Sequence, residues 1–142
     1  MPEAPTIHGS CVARDGAAIL ILGPPGSGKS DLALRLLGRG FALVADDRVA
    51  LAAGVASAPP ALLGLLEVRG LGLTRLPPAP PARVALVVRL GEPPPRLPAP
   101  LRDPDLGALV VRLDAAQASA PDKAILALDC ALGRAAQTVG AL

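Results

Sequence analysis

The chain has 142 residues and a formal net charge of +2, with 51% hydrophobic and 18% charged residues. That apolar share argues against a disordered segment, and the length suits one domain, residues 1–142, with a real core. The small net charge and a single aromatic residue, Phe41, argue against a nucleic-acid partner, which needs a basic stripe or a stacking platform.

Arg, Asp, Gly and Pro interrupt every apolar stretch well short of the roughly 18 residues that a membrane helix needs. The first residues, Met1-Pro2-Glu3-Ala4-Pro5-Thr6, have no basic region leading into an apolar one. No signal peptide is expected, and the expected compartment is the cytoplasm. Cys11 and Cys130 are far apart, match no metal spacing and read as buried thiols.

In chain order, residues 7–13 read as one short strand carrying His8. Asp15-Gly16 is a strong hairpin signal, so residues 17–22 should return antiparallel and bring His8 towards the end of the second strand. The apolar run 17–22 leads into Gly23-Pro24-Pro25-Gly26-Ser27-Gly28-Lys29-Ser30, and a helical pattern follows over 31–37. G-x-x-x-x-G-K-[ST] between a strand and a helix is the phosphate-binding P-loop. Its glycines let backbone N–H groups approach phosphate oxygens, and the helix adds its positive dipole end. Lys29 supplies a full charge for the outer phosphates, and the Ser30 hydroxyl can ligate Mg2+.

The helix should stop at Gly38-Arg39-Gly40. Residues 41–45 read as a buried strand beside the P-loop strand, ending at Asp46-Asp47, where α/β sheets place ligands. An acid there holds Mg2+ through water or accepts a proton from an attacking hydroxyl, and a pair of adjacent carboxylates suits a proton carrier. Residues 48–52 and 55–57 flank Ala53-Gly54 as a small hairpin. The run 61–66 is ambiguous between helix and strand. Glu67 and Arg69 follow, and in an extended segment both would face one side, as a Mg2+ ligand beside a phosphate clamp or as an ordinary ion pair.

Pro77-Pro78-Ala79-Pro80-Pro81 stiffens the chain. Residues 83–90 form the clearest later strand, 93–104 a proline-rich surface loop, and 107–113 the last strand. Ala120-Pro121-Asp122 opens a C-terminal helix that should run to about Gln137.

His8-Gly9, the P-loop, Ala45-Asp46-Asp47-Arg48-Val49 and Leu66-Glu67-Val68-Arg69-Gly70-Leu71-Gly72 occur in that order. Together they resemble the catalytic domain of HPr kinase/phosphorylase, and the likeness is good over residues 6–73. The resemblance implies an α/β fold of the HPr kinase/PEP carboxykinase-like P-loop type, a mixed sheet with an N-terminal hairpin and a C-terminal helix. It implies an ATP-dependent serine kinase for the phosphocarrier HPr, working with Mg2+ and also running in reverse by phosphorolysis. By matching positions, Gly23 to Ser30 would bind the nucleotide phosphates, with Lys29 at the β and γ groups. Ser30 and Glu67 would ligate Mg2+, and Asp47 would exchange the serine proton. Asp46 and His8 would assist at the γ-phosphate, and Arg69 would line the site. It also implies a homo-oligomer, the family's hexamer. The family's usual N-terminal domain has no counterpart here, as in a short form. Its late Pro-Gly-Arg segment has none either; Pro121-Asp122-Lys123 is the nearest stretch. Two rival readings share the P-loop. A small-molecule kinase would need a lid helix that the proline-rich later half does not offer. A non-catalytic nucleotide sensor would not need an acid pair.

Overall fold

The computed structural model describes residues 4–142. Residues 1–3, the start of the Met1–Thr6 stretch from which no signal peptide is expected, lie outside the described residues. The strands are β1 (Thr6–His8), β2 (Ser10–Arg14), β3 (Ala17–Leu22), β4 (Ala42–Ala45), β5 (Arg48–Ala52), β6 (Val55–Ser57), β7 (Leu65–Val68), β8 (Gly72–Arg75), β9 (Ala82–Arg89) and β10 (Leu109–Arg112). The helices are α1 (Lys29–Leu37) and α2 (Ala120–Ala131), with a 3-10 turn at Pro60–Leu62. A mixed sheet runs β1-β5-β6-β9-β3-β2-β4, with β10 on β9, and β7 pairs β8 as a separate ribbon.

Both tight hairpins form where the sequence places them. Asp15 and Gly16 take φ of 53° and 78°, and Ala53 and Gly54 take 51° and 79°. Two successive left-handed residues make the turn whose twist matches the flanking strands. The alternation of β3 then splits its side chains. Ile19 and Ile21 join Leu32, Leu36 and Leu128 under the helices, while Ala18 and Leu20 join Val44, Val49 and Val87 on the other face. A strand buried on both sides reads as an unbroken apolar run, as residues 17–22 do.

The expected single strand over 7–13 is two strands with different partners. β1 pairs β5, whereas β2 pairs β3 and β4. Gly9 sits at the change, its N–H donating to Asp47 O at 3.2 Å. A Cβ there would stand 2.9 Å from Ile21 O, so the crossing needs a glycine. His8 consequently lies opposite Arg48, not opposite the end of β3.

β4, expected beside β3, lies instead beside β2. The tight hairpin puts β2 on one edge of β3, and β9 pairs parallel along the other. β4 therefore runs parallel to β3 one strand removed, and still delivers Asp46 to the same end of the sheet. The stiff proline segment covers the outer edge of β4, with Ala79 N–H donating to Leu43 O at 2.7 Å.

The ambiguous run 61–66 is neither one helix nor one strand: the 3-10 turn gives way to β7. Leu66 is fully buried under α1 and anchors the β7–β8 ribbon. The proline-rich stretch 93–104 carries no helix or strand. α2 opens with Pro121 in its first turn but ends at Ala131, before the expected Gln137. Gly133 at φ 77° and the Arg134 N–H to Asp129 O bond of 2.8 Å close the helix with a left-handed cap. No helix among the described residues is long and apolar enough to cross a membrane.

Candidate functional site

Residues 23–30 leave the end of β3, turn through Gly26 at φ 80° and Gly28 at φ 97°, and enter α1 at Lys29. Left-handed backbone at both positions favours glycine. Room is short as well: a Cβ on Gly23 would meet Ser27 Oγ at 2.5 Å, and one on Gly28 would meet Ala115 Cβ at 2.9 Å. Lys29 Nζ donates to the carbonyls of Gly23 at 2.7 Å and Pro24 at 3.1 Å, so its ammonium spans the loop. Ser27 Oγ is buried and has no hydrogen-bond partner among the described residues. An orphaned hydroxyl inside a glycine-rich loop is a donor waiting for an acceptor, and it fits a phosphate oxygen.

Behind the loop lies a buried carboxylate. Asp46 is 5% exposed. It accepts from Ser10 Oγ at 2.6 Å and from Ser30 Oγ at 2.9 Å, with a second contact to Ser30 at 3.2 Å. No cation pairs with it among the described residues. A buried anion held only by hydroxyls suits a neighbouring divalent cation. The described residues contain no cluster of three or more His, Cys, Asp or Glu that could hold a metal alone. Mg2+ fits such a site, because it keeps waters and substrate phosphates as most of its ligands.

Asp47 is exposed and strained. Its φ is 67°, and the Arg48 N–H donates back to Asp46 O at 2.8 Å, closing a three-residue turn around it. A non-glycine residue at the centre of such a turn is rare, and such strain clusters at functional positions.

The cavity beside the loop has a volume of about 440 Å3. Its walls include Gly28, Lys29 and Ser30 on one side and Glu67, Val68 and Arg69 on the other. The expected meeting of the loop with the Glu67–Arg69 segment is therefore present. Its local geometry differs from an extended strand, because β7 ends at Val68 and Arg69 starts the turn that leads through Gly70 at φ 88°. Glu67 and Arg69 form no ion pair with one another or with other described residues.

Of the remaining predicted residues, Gly26 also lines this cavity, and Pro25 is exposed at the loop tip. Gly23 and Pro24 line a smaller cavity of about 250 Å3 with Arg89 and Glu92. His8 is exposed beside Asp47 and Arg48 and lines neither cavity. Lys123 is exposed and donates to Gln117 Oε1 at 2.7 Å. Ser10 was not expected at the site. Its signal is a lone hydroxyl leading into the apolar Cys11-Val12-Ala13, and burial obliges it to find an acceptor. Asp31 and Leu34, on the first turns of α1, are further cavity residues that the motif alone does not mark.

The family model for the HPr Serine kinase C-terminal domain matches residues 1–77. An HPr kinase/phosphorylase of Bordetella petrii is 49% identical over 73 residues, covering 48% of this chain and 24% of that protein. An HPr kinase/phosphorylase of Lacticaseibacillus casei is 45% identical over 78 residues, covering 51% and 24%. The chain thus spans about a quarter of the length of these relatives. The structure of the Hpr(Ser) kinase/phosphatase from Coxiella burnetii has a TM-score of 0.67 at 21% identity. It covers 92% of this chain and 90% of that one, which establishes an α/β fold of the same kind. With more than half of its residues under the family model, the chain belongs to the HPr serine kinase C-terminal domain family.

Proposed function

We propose that residues 1–142 form a P-loop kinase domain that transfers the γ-phosphoryl group of ATP to a serine of an HPr-type phosphocarrier. The observation that carries this reading is one cavity walled by Lys29 and Ser30 on one side and Glu67 and Arg69 on the other, with Asp46 held behind Ser30. Phosphoryl transfer is mostly positioning and charge neutralisation, and each part has a candidate residue. The loop amides and Ser27 Oγ would hold phosphate oxygens, and Lys29 would exchange its two carbonyl partners for the β and γ groups. Ser30, Asp46 through the Ser30 hydroxyl or water, and Glu67 would hold Mg2+, which supplies further neutralisation of the transferring group. Asp47, exposed and presented by its strained turn, would accept the serine proton. His8, on the same rim by register, would assist there.

Reversal by phosphorolysis would use the same groups, with Asp47 returning the proton. The family likeness of residues 1–77 supports the choice of HPr over a small hydroxylated metabolite. The test is incubation of purified chain with Mg-ATP and an HPr-type phosphocarrier, followed by intact-mass and peptide analysis. One added phosphate on a serine is expected. Label transferred only to small metabolites, or ATP binding with no transfer, would replace this reading by one of its two rivals.

A further inference from the structure

The two flanks of the glycine-rich loop differ in chemistry. Along this end of the sheet the order is Asp46 after β4, Ser10 opening β2, Gly23 after β3, and then the ends of β9 and β10. Asp46 and the Ser10 and Ser30 hydroxyls bound to it lie on the β2–β4 side. On the β9–β10 side, Leu22, Arg89 and Arg112 are in register, so their side chains share the face away from the helices. Arg112 is engaged by Glu92 at 3.6 Å. The half-buried Arg89 guanidinium makes no hydrogen bond or ion pair among the described residues. It lines the cavity of about 250 Å3 together with Leu22, Pro24 and Leu90. The floor of that cavity is fixed, because Gly91 approaches Pro24 so closely that a Cβ on it would stand 2.8 Å from Pro24 Cδ.

We infer that this second cavity receives the nucleoside end of the nucleotide, with the planar Arg89 guanidinium against the base. The inference rests on the kinase reading and deepens it. If the outermost phosphate faces Asp46 and Asp47, the inner phosphate and the nucleoside leave the loop on the opposite flank, over β9. A base needs a flat partner, and the usual aromatic one is missing. Phe41 is buried at 5% exposure, with its ring covered by Arg14 at 4.5 Å. A guanidinium plane is the alternative stacking surface, and Leu22, Pro24 and Leu90 supply apolar walls.

The test is calorimetric titration, with Mg2+ present, of the parent chain, Arg89→Ala and Arg89→Lys. The two probes are ATP and inorganic tripolyphosphate, which has the phosphates but no nucleoside. Arg89→Ala should weaken ATP roughly five- to hundredfold. Tripolyphosphate binding should stay within about twofold, which also shows that the variant is folded. Arg89→Lys should not recover ATP affinity, because a lysine keeps the charge without the plane. Unchanged ATP affinity in Arg89→Ala, an equal loss for both probes, or full recovery in Arg89→Lys would each overturn the inference. A parent chain that binds neither probe would instead sink the kinase reading itself.

Discussion

At the scale of single residues, the proposed chemistry divides between a buried acid and an exposed one. Asp46 is enclosed by Ser10 and Ser30, whereas Asp47 stands free on a strained backbone. These positions predict different failures. Asp47→Asn keeps a residue that tolerates positive φ, so the fold and ATP binding should survive. Transfer to the acceptor serine should drop roughly 10²- to 10⁴-fold, the usual worth of a positioned proton acceptor. Single-turnover transfer alongside a nucleotide titration checks both halves; transfer at the parent rate would remove Asp47 from the mechanism. Lys29→Ala should instead weaken Mg-ATP binding itself, since the loop loses its only side-chain cation, and equilibrium titration reads that directly.

Cys11 gives a residue-scale prediction outside the site. Burial pushes its thiol from an ordinary 9.0 up to about 12. Between those values the unfolded chain loses this proton while the folded chain keeps it. Stability should therefore fall as pH rises from about 9 towards 12, and this group should add no slope below that range. Urea midpoints of parent and Cys11→Ala, taken at pH about 8 and about 10.5, isolate the effect. The parent should lose more stability than the variant over that interval.

At the scale of elements, the β7–β8 ribbon holds Glu67 and Arg69 against the loop through Leu66, which is fully buried. Leu66→Ala should cost about 2–5 kcal/mol of stability and let the ribbon drift. Thermal unfolding reports the first effect. A rise in the Mg2+ concentration needed for half-maximal transfer reports the second, because Glu67 would no longer be held in place. Asp15-Gly16 and Ala53-Gly54 each specify their turn within two residues, so both hairpins were legible in the sequence. The strand–loop–helix around residues 23–30 was legible for the same reason. The break at Gly9 was not, since a glycine between His8 and Ser10 gives no sign that its two sides pair with different strands. Nor was the neighbour of β4, because the insertion of β2 between β3 and β4 is a long-range choice that local pattern does not carry. The early stop of α2 depended on Gly133 turning left-handed, although Ala135 and Ala136 beyond it continue a helix-favouring composition.

At the scale of the molecule, the arrangement is a sheet whose one end collects groups from distant parts of the chain. Ser10 opens β2, Arg89 closes β9, and Gly23 and Asp46 directly follow β3 and β4, so all four lie at one end of the sheet because β2 runs antiparallel and β9 parallel to β3. The acids were foreseen there from the motif and the family likeness; Ser10 and Arg89 became visible only through pairing register. The loop between β10 and α2 closes the same end, with Ala115 against Gly28 and its carbonyl accepting from Arg35. Gly28→Ala should thus both strain the left-handed turn and crowd Ala115, costing about 1–3 kcal/mol and weakening nucleotide binding. Denaturant unfolding and ATP titration of that variant check the two effects separately.

The kinase proposal has the loop, the Glu67–Arg69 turn and the acid pair act together on a protein serine. It is tested most directly by incubating the chain with Mg2+ and γ-labelled ATP in the presence of purified HPr-type phosphocarrier, with the Asp47→Asn variant alongside. Label is expected on one phosphocarrier serine with the parent chain and is lost with the variant, while both still bind ATP. Bound ATP with no label reaching the phosphocarrier from the parent chain would contradict it.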